Sequence, residues 1–218
     1  MITVIGQDPK IAIEPPDAFF DDHGLSASGL HILELCNIQK PPKNKRGYIE
    51  VPDNEMPRYE RLFRENFDAF NLIDEPIHDI LLNEYNDREV RNEVFELIDR
   101  NEFLQRYLED NWLQVRQRLV EHQYYDAIVL CGKHATWAFC KAFAIDESYL
   151  CKYNPVSITV NRIQHSVARV DHPSPANHKL YTQDCLERNK TAWRNILDTQ
   201  NLPGARVIAE EPLRSTIA

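Results

Sequence analysis

Short apolar stretches of strand length recur along the chain and alternate with segments patterned as helices. Ile2–Ile5, Ala127–Cys131 and Val167–Val170 are three such stretches, and Val156–Val160 is a further extended candidate. The first three each end directly at glycine or polar residues. Strands that alternate with helices predict an α/β fold, in which helices flank a central parallel sheet in three layers, α/β/α. We expect one domain over residues 1–218.

The segment from residue 55 to residue 123 is patterned as helix. Leu62, Phe63, Phe67 and Phe70 fit one helical face at its start. Apolar residues recur at helical spacing through the rest of the segment, and charged residues occupy the opposite faces. This pattern predicts a helical scaffold.

Helix N-termini are predicted at residues whose side chains cap free backbone N–H groups. Ser28, Asp87 and Asn101 each precede apolar residues at helical spacing. Ser28 would begin a short helix. The predicted helices outside the 55–123 segment are Ser28–Leu35, Ala135–Phe143 and Gln183–Leu197.

Two of the strands end in proline-containing turns that carry chemically active side chains. Residues 6–9 (G-Q-D-P) follow the first strand, and residues 172–175 (H-P-S-P) follow Val170 and Asp171. Proline fixes its own φ and restricts the residue before it, so such turns hold Asp8 and His172 in set directions. Ligands bind beyond the carboxyl ends of parallel strands. We therefore expect Asp8 and His172 on opposite walls of one cleft, at the ends of neighbouring strands.

These motifs together resemble those of the uracil-DNA glycosylase superfamily, whose main branch carries G-Q-D-P after its first strand and H-P-S-P after its last. Leu130–Ala135 is similar to the strand end and G-x-x-A of that family, and Gly24–Ser28 is similar to its G-L-x-F-S. The resemblance implies the uracil-DNA glycosylase fold and a hydrolase that removes uracil or a related damaged or modified base. It implies DNA as the partner, single- or double-stranded with the base flipped out, and we expect a monomer. It implies no metal and no organic cofactor.

Cleavage of the bond between base and deoxyribose develops positive charge on the sugar and negative charge on the base. An enzyme therefore needs a carboxylate near the sugar and its incoming water, and a hydrogen-bond donor at the base oxygen. By resemblance, Asp8 positions and activates the water and His172 donates to the base carbonyl. Either residue alone is more typical of an ordinary turn, because aspartate binds local backbone N–H groups.

The resemblance also implies substrate-binding residues around this pair. Gln7, with the adjoining Gly6 and Pro9, would line the base pocket. Ser174 would hold a phosphate beside the flipped nucleotide. Asn177 follows H-P-S-P where the main branch has a leucine wedge, which is closer to the single-strand-selective branch.

Two positions depart from the main branch in ways that change the expected pocket. Lys10 stands where that branch has a tyrosine that excludes the thymine methyl, and Ala27 replaces a stacking phenylalanine. Phe19 or Phe20 could stack instead. Without a rigid wall, we expect slow, broad activity that tolerates a 5-substituent, because a methyl-sized difference discriminates by only about 1–3 kcal/mol. Lys10→Tyr would sharpen selection for uracil.

Two further roles stay open in the sequence. Asn83 follows Leu81 and Leu82, as an asparagine ends an apolar strand in the family, but its charged surroundings favour a surface residue. Leu180 or Tyr181 could be the wedge that fills the vacated base stack, and either could equally belong to the core.

The net charge of −9 is unusual for a nucleic-acid binder, but the charges are unevenly placed. Asp53–Glu121 holds 18 acidic and 9 basic residues, which marks an acidic helical segment at about 53–122. Ala127–Asn195 holds 9 basic and 5 acidic residues. The motif-bearing parts could therefore face a phosphate backbone, although a solvated acidic surface is the commoner explanation. The loop 39–46 contains no acidic residue and four basic ones: Lys40, Lys43, Lys45 and Arg46.

Absent patterns narrow the function classes. The sequence has no H-E-x-x-H, Walker or Rossmann glycine pattern, no apolar run of membrane-spanning length and no signal peptide. Its five cysteines form no C-x-x-C pair, which is typical of reduced, buried thiols in an intracellular protein, cytoplasmic or nuclear. The alternative to an enzyme is a glycosylase-fold protein that has lost catalysis and acts as a DNA- or protein-binding module.

Overall fold

The structure, a computed structural model, describes residues 2–6, 19–21, 23–71, 77–121, 127–160, 163–174, 183–197 and 206–208. The strands are β1 (Ile2–Gly6), β2 (Phe20–Asp21), β3 (Gly24–Leu25), β4 (Phe67–Asn71), β5 (Ala127–Cys131), β6 (Val156–Val160), β7 (Ile163–Val170) and β8 (Arg206–Ile208). The helices are α1 (Ala27–Leu35), α2 (Met56–Asn66), α3 (Ile77–Leu82), α4 (Asp87–Arg100), α5 (Glu102–Glu121), α6 (Gly132–Phe143) and α7 (Gln183–Leu197), with a 3₁₀ turn at Glu147–Tyr149. Within these ranges, no helix is both long and apolar enough to cross a membrane.

Six strands form one mostly parallel sheet in the order β4-β1-β5-β7-β6-β8. The four strands β4, β1, β5 and β7 run parallel to one another, β6 is antiparallel to β7, and β8 is parallel to β6. The predicted α/β fold with a mainly parallel sheet is confirmed. From β1 the chain crosses first to one side, to β4, and then to the other side, to β5. The order of connection therefore reverses between β1 and β5, where open α/β sheets bind their ligands.

Apolar side chains on the two faces of the sheet form two separate cores. Alternate residues of a strand point to opposite faces, so Val4 packs with α1, α2 and α7, whereas Ile5 packs with α3 to α6. We call these the α1 face and the α5 face. Trp193 of α7 is fully buried in the first core and Phe139 of α6 in the second. The acidic helices α4 and α5 thus lie on the α5 face.

The prediction of helix from residue 55 onward is wrong at β4, because α2 ends at Asn66 and a strand follows. Phe67 packs on the α1 face and Phe70 on the α5 face, which is the alternation of a strand. A spacing of three residues fits one face of a helix and also opposite faces of a strand, so the two phenylalanines did not distinguish the two structures. The Asn66 side-chain amide donates to the Leu62 carbonyl and closes the preceding helix.

Two of the three predicted helix caps are displaced by one or two residues. Ser26, not Ser28, caps α1, since its hydroxyl accepts from the Gly29 N–H at 3.3 Å. Asn86, not Asp87, caps α4 through a reciprocal capping box with Glu89. The third prediction is confirmed: Asn101 Oδ1 accepts from the Leu104 N–H at 3.0 Å.

The described cysteines are free thiols, but they are not all buried as predicted. Cys36, Cys131 and Cys140 are buried, and Cys151 is exposed in the loop before β6. Burial raises the pKa of the first three thiols, so they are held protonated and unreactive.

Candidate functional site

The carboxyl ends of the four parallel strands lie in one row. Gly6 of β1 pairs with Asn71 of β4, and Cys131 of β5 pairs with Val170 of β7. One residue before these ends, Ile5 of β1 pairs with Leu130 of β5. Gly6 therefore reaches the edge of the sheet as predicted, buried at the end of β1. Gln7, Asp8, Pro9, Lys10 and Asn177 lie outside the described residues, as do Leu180 and Tyr181.

The strands that lead to the two motifs are not neighbours, which corrects one detail of the predicted cleft. Strand β5 lies between β1 and β7. Neighbouring strands are about 4.8 Å apart, so the ends of β1 and β7 are separated by roughly 9–10 Å. The end of β5, which continues into Gly132, lies between Gly6 and the H-P-S-P turn.

A backbone hydrogen bond fixes the tautomer of His172. The Ser174 N–H donates to His172 Nδ1 at 3.1 Å, so Nδ1 is the acceptor nitrogen of the ring. In a neutral imidazole the proton then resides on Nε2, which becomes a donor. Ser174, the other predicted site residue in this turn, is half-buried beside it.

The surroundings of His172 also keep its ring uncharged. Burial, with a smaller contribution from the nearby His134, lowers the pKa of His172 from 6.5 to about 4. At neutral pH the ring therefore presents an N–H without carrying a positive charge.

The glycine of the G-x-x-A segment allows β5 and the H-P-S-P turn to approach closely. Gly132 begins α6 with a φ of +89°, a conformation that side chains with a Cβ rarely adopt. A Cβ at this position would lie 3.2 Å from the His172 Cβ. Any larger residue at 132 would be strained and would displace His172.

A second histidine, which the sequence did not mark, holds the same turn from α1. His31 Nδ1–H donates to the Pro173 carbonyl at 3.0 Å, and the His31 side chain is buried. On the other side of its ring, Nε2 lies 4.0 Å from Glu34 Oε2, and Lys43 Nζ donates to Glu34 Oε1 at 2.8 Å. Burial lowers the pKa of His31, against the opposing effects of the Pro173 carbonyl and Glu34. Lys43 of the basic loop 39–46 is thus paired with Glu34 of α1, the helix whose His31 holds the turn.

Of the two stacking candidates Phe19 and Phe20, Phe19 is the one whose ring contacts His172. The Phe19 ring centroid lies 6.2 Å from that of His172, within the range of aromatic contacts. Its backbone has a φ of +69°, and its carbonyl accepts from the Ser26 N–H at 2.8 Å. Both phenylalanine rings contact Phe63, and Phe20 lies under the Arg64 guanidinium, which is 4.1 Å from its ring centroid.

Asn71 is a site candidate that the sequence analysis missed. It ends β4 directly beside Gly6, is half-buried, and by strand alternation belongs to the α1 face, on which Phe19 also packs. Asn83, the residue considered earlier, follows helix α3 and is exposed. The strand-ending asparagine could have been found only if β4 had been recognised as a strand.

The chain matches no protein-family model, no curated protein and no solved structure. The resemblance to uracil-DNA glycosylases therefore rests on the sequence motifs. Among the described residues, no group of three or more His, Cys, Asp or Glu side chains could hold a metal ion.

We predict that His172 titrates near pH 4 and that acid destabilises the fold through it. The unfolded chain binds a proton at His172 below about pH 6.5, whereas the folded protein binds it only near pH 4. Between these values the unfolded chain holds more protons, so stability should fall by up to about 3 kcal/mol as the pH is lowered through this window. His31 should add to the fall in the same direction.

Proton NMR of the imidazole ring against pH measures this titration directly, and urea unfolding at several pH values measures the stability. In His172→Asn, the fall in stability between about pH 6.5 and pH 4 should be smaller. A His172 ring that titrates at or above 6.5 would contradict the assignment of a neutral donor.

Proposed function

We propose that this protein is a DNA base glycosylase that hydrolyses the N-glycosidic bond of uracil or a related damaged or modified base. The observation that carries the proposal is the neutral His172, whose Nε2–H is set as a donor by the Ser174 N–H on Nδ1. This donor lies at the carboxyl edge of the sheet, two strands from the end of β1.

A neutral donor suits a leaving group that becomes an anion. As the C–N bond breaks, the electron pair departs with the base, and negative charge develops on the base carbonyl oxygen. The His172 Nε2–H would stabilise that oxygen by a hydrogen bond that strengthens as the charge grows. Because the ring does not transfer its proton readily, the base would leave as an anion held by this bond.

The attack of water on the sugar is assigned to the residues after β1. In the proposal, Asp8, two residues after Gly6, orients the water that attacks the sugar, while its negative charge stabilises the positive sugar. The ends of β1 and β7 are roughly 9–10 Å apart, and the proposal places the base and its sugar over the end of β5, between carboxylate and donor. Gln7, Pro9 and Asn177 keep the substrate-binding roles that the resemblance implies, and Ser174 its role at a phosphate.

Asn71 and Phe19 would recognise the base itself. Asn71 ends the strand beside Gly6, and its amide offers both a donor and an acceptor, as the edge of a pyrimidine requires. Phe19 would supply the stacking face that is lost at Ala27, which is exposed on the first turn of α1. Lys10 would leave the pocket open beside the 5-position, so that selection against 5-substituted bases stays weak.

The direct test measures release of uracil from single-stranded and duplex oligonucleotides by wild-type protein, Asp8→Asn and His172→Asn. Asparagine can accept the Ser174 N–H as histidine does, since its side chain bonds the backbone two residues on, but it lacks the Nε2–H donor. We expect wild-type protein to release uracil, and His172→Asn to be slower by about 10²–10³-fold. No release by wild-type protein would refute the proposal and favour a non-catalytic binding module.

Phe19 and Phe20 provide a matched pair within this test. Phe19→Ala should lower kcat/KM for uracil. The expected loss of transition-state stabilisation is about 1–3 kcal/mol, the contribution of one base–aromatic stack. Phe20→Ala removes an identical ring that lies between Phe63 and Arg64 and should change it little. Equal losses in the two variants would show that neither ring stacks on the base.

The basic loop next to the site contributes fewer free charges than its sequence suggests. Lys43 is paired with Glu34, whereas Lys45 and Arg46 are exposed at the tip of the loop. Asn44 fixes the tip, since its side-chain oxygen accepts from the N–H groups of Arg46 and Tyr48. Lys43 connects the loop to Glu34 of α1, the helix whose His31 donates to the Pro173 carbonyl.

We predict that Lys45 and Arg46 account for two phosphate contacts in binding to single-stranded DNA. Each contact on a single strand adds about 0.7 to the slope of log affinity against log salt, so Lys45→Gln with Arg46→Gln should lower the slope by about 1.4. A fluorescence-anisotropy titration at several salt concentrations measures it.

The control is Arg100→Gln with Arg106→Gln, an equal change of charge on exposed residues of the α5 face. This pair should leave the slope unchanged. If both double variants lower the slope equally, the loop has no special part in binding.

A further inference from the structure

The residue before His172 is held by two donors from a separate segment. Tyr153 donates its hydroxyl to Asp171 Oδ2, and Lys152 Nζ lies 2.6 Å from Asp171 Oδ1. The Asp171 side chain is only 14% exposed, whereas that of Lys152 is 47% exposed. Each carboxylate oxygen of Asp171 therefore has its own partner, one neutral and one charged.

The segment that carries these donors is fixed along the end of β7. Strand β6 pairs with β7 only as far as Val167. Beyond that point, Lys152 forms a bridge with Arg169, and the Tyr153 N–H donates to the Arg169 carbonyl at 2.8 Å. The 152–153 segment thus continues the sheet beside the part of β7 that leads into the turn.

Tyr153 occupies an uncommon backbone conformation to make its contact. Its φ is +66°, in the left-handed region that residues other than glycine seldom adopt. Its ring packs partly against the α1 face, 4.9 Å from Lys152 Nζ. Such strain persists only where the surroundings enforce it, and it is concentrated at functional sites.

The turn from Asp171 to Ser174 is held at every residue. Asp171 is held by Tyr153 and Lys152, Pro173 by His31 on its carbonyl, and Ser174 by its N–H on His172 Nδ1. His172 lies between these contacts, against Gly132. Its ring direction thus depends on anchors on both sides of it along the chain.

We propose that Tyr153 and Lys152 are positioning residues, which clamp Asp171 and so fix the direction in which His172 presents its Nε2–H. The clamp acts through the backbone of the turn and touches neither base nor sugar. Its effect on catalysis rests on the proposed function, but its effect on the His172 ring does not.

The test records the ¹⁵N and ¹H NMR signals of the His172 ring at neutral pH in wild-type protein, Tyr153→Phe and Tyr149→Phe. Tyr149 is the matched control, a tyrosine four residues earlier in the chain that is 52% exposed. Wild-type protein should show unprotonated Nδ1 and protonated Nε2. In Tyr153→Phe the two nitrogen signals should move toward each other as tautomers mix, and in Tyr149→Phe they should match wild type.

Unchanged His172 signals in Tyr153→Phe, or equal changes in Tyr149→Phe, would overturn the clamp. If Tyr153→Phe does not fold, Lys152→Met removes the other donor while leaving the packed ring in place, and the same shift is expected. Circular dichroism establishes that each variant is folded.

Uracil release supplies the second readout and separates the two proposals. Tyr153→Phe should lower kcat by about 10- to 100-fold with little change in KM, as expected for a misdirected donor, and Tyr149→Phe should not. Release that falls while the His172 signals stay as in wild type would overturn the clamp. If wild-type protein releases no uracil, the proposed function fails, and the ring signals alone decide whether the clamp exists.

Discussion

The hydrogen bond from the Ser174 N–H to His172 Nδ1 decides what the site can do. It assigns the ring proton to Nε2 and turns a residue that could accept, donate or carry charge into a neutral donor. Burial enforces the same state by lowering the pKa of the ring to about 4. The bond exists only while the turn keeps its shape, so the surrounding anchors at Pro173, Asp171 and Gly132 all serve this one geometry.

The sheet separates this site from the acidic helices α4 and α5. The helices that contact the turn and its anchors belong to the α1 face and to the start of α6, whereas the acidic helices α4 and α5 pack on the α5 face. Helices α4 and α5 hold 9 acidic and 6 basic residues, so part of the protein's negative charge lies across the sheet from the candidate phosphate-binding residues. The net charge of −9 is therefore compatible with the proposed DNA partner, because interactions between exposed charges are largely screened beyond about 10 Å.

Local patterns in the sequence predicted the elements that are apolar and continuous. β1, β5 and α7 lie where expected, and Gly6, His172 and Ser174 reach the predicted edge. The strand β4 was missed because the three-residue spacing of Phe67 and Phe70 fits a helix as well as a strand. Asn71, at the end of β4, was missed with it. Predicting which strand ends lie side by side requires the order of strands in the sheet, and no local sequence pattern contains that order.

The residues that hold the turn, His31 and Tyr153, could not be predicted from the sequence for a different reason. His31 is 142 residues from Pro173 in the chain, and Tyr153 is 18 residues from Asp171. No spacing rule connects such pairs, and nothing in the sequence marks Tyr153 as a residue with positive φ. Phe19 could be named as a candidate beside Phe20, but only the contacts of Phe19 with His172 and of Phe20 with Arg64 separate them.

The pH dependence of single-turnover uracil release tests the central claim, that a neutral His172 donates to the departing base. Since the ring is neutral on both sides of its ordinary pKa, the account predicts a rate that does not fall as the pH rises from about 5.5 to 8. A charged donor would lose its extra proton in that range. A rate that falls as the pH rises through about 6.5, or no release at any pH, would contradict the account.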